Sequence, residues 1–227
     1  MSVKVKICGL KTRPALDAAL EAGADYFGLV FYPPSPRNVD LDTAATLTAR
    51  GRGRAQSVAL LVNPDDDVVR QICDIVAPDL LQLHGSETPE RLKEIRAIAN
   101  RPLIKAVKVE TSADVLSARD YEPAADMILF DAKAPAGMAN ALPGGNGVAF
   151  DWQSLTGVKT QDNFMLSGGL NPDNVAAAVA MTQAPIVDVS SGVERAPGEK
   201  DADLIRKFVA AAKSAATATT TSEPQNA

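Results

Sequence analysis

Two cysteines and one histidine in 227 residues leave few groups that could act as base, nucleophile or metal ligand. Cys8 ends an alternating run, Val3-Lys4-Val5-Lys6-Ile7. A thiol with an ordinary pKa of about 8.5 works as a base only once it is partly thiolate, which a nearby cation or a helix N-terminus favours. By position alone Cys8 reads equally as a small buried hydrophobe. Cys73 falls in a helical apolar pattern with Val69, Ile72 and Val76 and is read as core. Asp131 closes the run Met127-Ile128-Leu129-Phe130, so its carboxylate emerges from an apolar wall. Desolvation of that kind suits a general acid; a loop cap or salt bridge is the plainer alternative. His84, in Gln82-Leu83-His84-Gly85, is read as a wall or hydrogen-bonding residue of the binding site, since acid and base are already supplied.

A second set of residues suits an anionic, hydroxyl-bearing ligand. Gly168-Gly169 and Ser190-Ser191-Gly192 each follow a short apolar run. Glycine lets backbone N–H groups approach an anion closely, and a helix opening just beyond adds a favourable dipole. One Gly-Gly pair is an ordinary turn, but two such loops after consecutive runs point to a phosphate site. Arg37 lies in Tyr32-Pro33-Pro34-Ser35-Pro36-Arg37-Asn38, a proline-stiffened segment that can aim a guanidinium at a carboxylate in bidentate fashion. The alternative is an ordinary surface arginine. Asp188, two residues before Ser190, shares its face and suits sugar hydroxyls; the alternative is a buried, paired carboxylate.

These residues follow the ends of short apolar runs, so the fold must gather those ends. The runs begin near Val3, Asp25, Gln56, Asp79, Pro102, Asp126, Asn163 and Pro185. They are too short for helices, and several are almost continuously apolar, as strands covered on both faces are. Helix signals lie between them. Thr12 with Pro14 opens one helix and Gly23 closes it; Thr88-Pro89 and Asn171-Pro172 open others. Leu204, Ile205, Phe208, Val209 and Ala212 form the stripe of a last helix. Strand–helix alternation implies a parallel sheet, and eight units in this length fit a closed (β/α)8 TIM barrel in the α/β class. An open doubly wound sheet would need a Gly-rich fingerprint where Cys8-Gly9-Leu10-Lys11 stands. Most runs start 22 to 24 residues apart, but the second and third are separated by 31 and the sixth and seventh by 37. The extra length falls after the strands, at Tyr32–Asn38 and Lys133–Gly147, on the end where barrel enzymes hold their sites.

Apolar residues make up 46% of the chain and charged residues 22%, an ordinary globular composition. A net charge of -5 gives no electrostatic reason to expect nucleic acid or an anionic membrane as partner. Cysteine and histidine are too scarce for a disulfide framework or a dedicated zinc site. No cofactor or metal is expected, and a reducing cytoplasm is the simplest setting. The expected organisation is one barrel domain over residues 1–213, followed by a disordered tail over residues 214–227 rich in Ala, Thr and Ser.

Six strings, taken in order, carry a resemblance. They are Lys6-Ile7-Cys8-Gly9-Leu10; Gly28-Leu29-Val30-Phe31 with Ser35-Pro36-Arg37; Gln82-Leu83-His84-Gly85; Gly144-Gly145-Asn146-Gly147 with Phe150-Asp151-Trp152; Leu166-Ser167-Gly168-Gly169-Leu170; and Val187-Asp188-Val189-Ser190-Ser191-Gly192-Val193-Glu194. From about Val3 to Phe208 the chain resembles the phosphoribosylanthranilate isomerases. That resemblance implies a cofactor-free Amadori rearrangement in tryptophan biosynthesis, acting on a small phosphoribosyl substrate, in a monomer or homodimer. It also implies Cys8 as general base, Asp131 as general acid, Arg37 as partner of the anthranilate carboxylate, and the glycines and serines after the last two strands as phosphate site. Two other readings exist. A histidine-pathway or bifunctional sugar-phosphate isomerase of related design is expected to carry aspartate where Cys8 stands. A non-catalytic phosphate-binding barrel would have no use for Cys8 and Asp131 together.

Overall fold

The computed structural model describes residues 3–133, 144–145, 152–155 and 163–218. Eight parallel strands close into a barrel in sequence order: β1 (Lys4–Cys8), β2 (Tyr26–Phe31), β3 (Gln56–Leu61), β4 (Leu80–Leu83), β5 (Leu103–Val109), β6 (Met127–Ala132), β7 (Phe164–Leu166) and β8 (Ile186–Val189). β1 pairs with both β2 and β8, which closes the ring. Helices α1 (Arg13–Ala22), α2 (Leu41–Gly51), α3 (Asp66–Ile75), α4 (Pro89–Ala99) and α5 (Ser112–Ser117) follow the first five strands. α6 (Val175–Thr182) follows β7 and α7 (Ala202–Ala218) follows β8. Between β6 and β7 the described residues hold one 3-10 turn, Trp152–Leu155.

The local chemistry of the chain explains the helix ends. The side chains of Thr12, Asp40, Asp65 and Thr88 each accept the N–H three residues on, satisfying a donor the helix cannot pair. Gly23 closes α1 in the left-handed region at φ 84°. Asn171-Pro172 does not open a helix directly. The Asn171 side chain accepts the N–H groups of Asp173 and Asn174, a local turn that competes with helix and delays α6 to Val175. α7 continues to Ala218, past the boundary expected at residue 213, because its last turns are rich in alanine. The remainder of the expected tail lies outside the described residues, as does most of the long connection after β6.

The barrel is plugged below its mouth. Tyr26, Val58, Leu80, Ile104, Met127, Leu129, Met165 and Ile186 point inward and pack together, a filled core and not a pore. The larger apolar cluster lies between strands and helices. One step toward the C-terminal ends of the strands, the inward positions turn polar: Lys6, Gln82, Asp131 and Asp188 are buried there, with His84 and Ser167 just beyond their strands. Alternation along each strand sets this change, because residues two apart share a face. The same rim carries the Tyr32–Asn38 segment, folded by hydrogen bonds from Ser35 N–H to the Tyr32 carbonyl and from Asn38 N–H to the Ser35 carbonyl.

Candidate active site

The base candidate sits against a buried ion pair. Lys6 and Asp188 are direct cross-strand neighbours in the β1/β8 register. Lys6 Nζ donates to Asp188 Oδ1 at 2.8 Å, and Ser167 Oγ donates to Asp188 Oδ2 at 3.1 Å. Lys6 is fully buried. Cys8, two residues along the same inward face, lies opposite Gly28 in β2, where any Cβ would come within 2.8 Å of its Sγ. Glycine at position 28 is therefore what makes room for the thiol. Burial pushes the Cys8 thiol above its ordinary value; Lys6 and Lys200 pull it down, and Asp188 adds to the rise. Burial by itself would depress the Lys6 ammonium, but Asp188 and Cys8 outweigh it and its pKa is raised. The cationic setting expected for Cys8 is present, yet desolvation outweighs it.

The acid candidate is held differently. Asp131 Oδ1 accepts the Ala132 N–H at 3.0 Å, and Oδ2 lies 3.1 Å from His84 Nε2. His84 Nδ1 in turn lies 2.8 Å from Gln82 Nε2. All three side chains are buried. The loop that carries His84 is anchored by Glu87, which accepts the Gly85 and Asn63 N–H groups and pairs with Lys105 at 2.6 Å.

Arg37 is buried, not on the surface, and its fork is occupied. Nε and Nη2 donate to the two oxygens of Glu194 at 2.8 and 2.9 Å, and Nη2 also reaches the Gly145 carbonyl at 3.3 Å. The bidentate edge expected to face a ligand thus faces Glu194, and Nη1 is the guanidinium nitrogen without a bond among the described residues. Glu194 opens β9 (Glu194–Ala196), which pairs with β10 (Glu199–Lys200). That hairpin returns Lys200, whose Nζ donates to Glu194 Oε1 at 2.8 Å and to the Ser190 carbonyl at 2.9 Å. Burial works to raise the Glu194 carboxyl, but Arg37 and Lys200 hold it below its ordinary value. Burial lowers the Lys200 ammonium more than Glu194 raises it.

One solvent-open cleft of about 750 Å³ joins these groups. Its lining includes Cys8, Arg37, His84, Asp131, Gly168, Gly169, Asp188, Ser190 and Ser191. Nine of the ten residues singled out in the sequence thus meet at one mouth. The tenth, Gly192, does not line it: a side chain there would run into the Leu170 carbonyl, so this glycine serves close packing between two loops. Asp188 is the paired carboxylate of the alternative reading, held by Lys6 and Ser167. Gly168 and Gly169 both have positive φ, at 84° and 66°, and their N–H groups donate to no acceptor among the described residues. The favourable helix ends expected beside them are absent from this stretch, since α6 begins only at Val175 and Ser191–Val193 is a single 3-10 turn.

The family model for N-(5′-phosphoribosyl)anthranilate (PRA) isomerase matches residues 5–211. The chain belongs to the PRA isomerase family. The PRA isomerase of Paramagnetospirillum magneticum is 53% identical over 213 residues, 94% of this chain and 98% of that protein. Monomers generated from the dimeric PRA isomerase of Thermotoga maritima superpose with a TM-score of 0.80 at 33% identity, covering 93% of this chain and 99% of that one. A PRA isomerase solved in complex with reduced 1-(o-carboxyphenylamino)-1-deoxyribulose 5-phosphate superposes with a TM-score of 0.78 at 32% identity, again over 93% and 99%. Of the residues that build this site, the sequence reading missed the roles of Lys6, Gln82, Gly28, Glu194 and Lys200. Lys6 and Gln82 were within reach, since each stands two residues before a residue already singled out and must share its face. Glu194 and Lys200 meet Arg37 only through the β9–β10 hairpin, which no local pattern announces.

Proposed function

We propose that this cleft carries out the PRA isomerase rearrangement with Cys8 as general base and Asp131 as general acid. The observation that carries the assignment is their meeting in one cleft, at the ends of β1 and β6, where a thiol beside a cation and a carboxyl set among hydrogen bonds suit those two tasks. Asp131 gives its proton to the furanose ring oxygen; the ring opens, and the nitrogen lone pair forms a Schiff base at C1′. The Schiff base acidifies the C2′ proton, which the Cys8 thiolate removes. The enolamine then takes a proton at C1′ and loses one from the C2′ hydroxyl, giving 1-(2-carboxyphenylamino)-1-deoxyribulose 5-phosphate. Atoms and electrons balance within the substrate, so no oxidant is consumed.

The N–H groups of Gly168 and Gly169, which meet no acceptor among the described residues, suit the phosphate together with the Ser190-Ser191 segment, because donors already set in a concavity need no rearrangement to meet an anion. Arg37 Nη1 suits the anthranilate carboxylate, with Glu194 and Lys200 fixing the guanidinium plane. His84 and Asp188 act at the wall, through Asp131 and Lys6. The proposal extends to a cytoplasmic setting, supported by two free cysteines, and to a monomer or homodimer acting on a small molecule. Among the described residues no helix is long and apolar enough to cross a membrane. The direct test is loss of substrate fluorescence in chelator-treated buffer without added cofactor. Robust turnover there supports the reading, and dependence on an added metal or nucleotide overturns it.

A further inference from the structure

Gln82 is out of place by packing alone. It points into the barrel on β4, two residues after Leu80 in the apolar plug, and it is fully buried. One end of its amide meets His84 Nδ1 at 2.8 Å, and the other end, Oε1, is buried without a hydrogen-bond partner among the described residues. A buried amide oxygen left unpaired is costly, and an apolar side chain of similar size would avoid that cost. The contact with His84 is therefore the feature that accounts for an amide at this position.

What that contact does follows from the two ring nitrogens. A neutral imidazole carries one N–H and one lone pair, and the bond made by one nitrogen decides which role the other plays. If the amide N–H of Gln82 donates to Nδ1, then Nε2 carries the proton and donates to Asp131 Oδ2, 3.1 Å away. If the amide were turned, Nδ1 would carry the proton, and Nε2 would present a lone pair to Asp131. Asp131 distinguishes the two patterns once it is ionised. Its other oxygen already accepts the Ala132 N–H at 3.0 Å. A donor on each oxygen fits a carboxylate, the form Asp131 takes once it has given up its proton.

We propose that Gln82 is a positioning residue for the reaction: it holds His84 as the Nε2–H tautomer, so that His84 donates to Asp131 as the acid's charge develops. The inference rests on the reading of Asp131 as general acid. The hydrogen bond strengthens as the carboxyl loses its proton, so it acts on the transition state more than on substrate binding. Gln82 also lines the cleft, and the role proposed for it acts through His84 and Asp131.

The chain has a single histidine, so a tag-free protein labelled with 15N in the imidazole ring gives one pair of ring signals. In the free protein near neutral pH, the expected result is a protonated Nε2 and an unprotonated Nδ1; a protonated Nδ1 overturns the proposal, whatever the activity. Two variants extend the test. Gln82→Met removes the donor to Nδ1 and should lower kcat about tenfold with KM little changed, less than the 10²–10⁴-fold expected of the acid itself. Gln82→Glu keeps the size but presents an acceptor, and should move the proton to Nδ1 and lower kcat further. Unchanged ring signals and kcat in Gln82→Glu sink the proposal, and the wild-type spectrum decides it if a variant fails to fold. Normal turnover in Asp131→Asn, by contrast, would overturn the acid assignment while leaving the tautomer result standing.

Discussion

The two sides of the barrel mouth solve different problems with different chemistry. On the β1/β8 side, Cys8 packs against Val30 and Leu60 but feels full charges, from the Lys6–Asp188 pair on its own face and from Lys200, itself paired with Glu194. On the β4/β6 side, Asp131 is held by a chain of hydrogen bonds through His84 to Gln82, with Ala132 N–H on its second oxygen. A buried thiol resists ionisation, and here nearby cations work against that desolvation. A carboxyl that must release a proton needs donors aimed at its oxygens, and neutral ones suffice. The difference teaches that the base side is governed by charge and the acid side by orientation.

The largest effect expected is on the base side. Cys8→Ser keeps the shape, but a hydroxyl has far too high a pKa to replace the thiolate near neutral pH. Turnover should fall by about 10³-fold or more, within or beyond the 10²–10⁴ range typical of a general base. Activity within threefold or so of the parent, in a variant shown to be folded by circular dichroism, would remove Cys8 from the chemistry and with it the contrast between the sides. Asp131→Asn tests the other side. It retains the hydrogen-bonding shape without an acidic proton, so kcat should drop by about 10²–10⁴-fold while product affinity survives. A variant with normal kcat and weak binding would make Asp131 a ligand-positioning group.

The charge-against-orientation contrast also predicts unequal stability effects. Lys6→Met leaves Asp188 buried without its cation and should cost about 3–5 kcal/mol in urea unfolding, since breaking a buried pair strands a charge. Gln82→Met, which removes one neutral hydrogen bond and an orphaned oxygen, should cost under about 1.5 kcal/mol. Equal losses would erase the distinction.

A smaller effect should appear at Arg37. Arg37→Ala should weaken binding of a carboxylate-bearing product analogue by about 1.5–3 kcal/mol, the range for hydrogen bonds to a charged group. The loss should nearly vanish for an analogue without the carboxylate, read as a double-mutant-type cycle by calorimetry. Equal weakening of both ligands would place Arg37 in the loop's architecture through Glu194 and not at the ligand.

The smallest expected effect is the alkaline dependence of stability. Cys8 and Lys6 both have raised pKa values in the fold, Cys8 through burial and Lys6 through Asp188 and Cys8 overcoming burial. The unfolded chain therefore releases these protons first as pH rises, the thiol before the ammonium. Over that range the folded state binds more protons than the unfolded one, so stability falls with rising pH until the folded values are passed. Lowered ammonium groups such as Lys200 act in the opposite sense, so the measurement is a difference: above about pH 9, urea midpoints should fall more steeply in the parent than in Cys8→Ser. A profile identical to the parent's would show that the buried thiol is not coupled to folding.

Alternating apolar runs, helix caps such as Thr12 and Thr88, and the positions of the two long connections were enough to read a (β/α)8 barrel and the end that holds its site. Those features are local: strand alternation and cap hydrogen bonds act within a few residues. The same alternation put Cys8 and Asp131 on inward faces at strand ends, which placed them in one cleft once the barrel closed. Who pairs with whom at the mouth was decided by the tertiary structure. Lys6 reaches Asp188 across 182 residues, Arg37 reaches Glu194 across 157, and His84 reaches Asp131 across 47. The register of β1 against β8, the return of the β9–β10 hairpin and the angle at which a loop leaves its strand set those partners. Each depends on packing summed over the whole barrel, and a charged or polar side chain takes whichever partner that packing brings within about 3 Å.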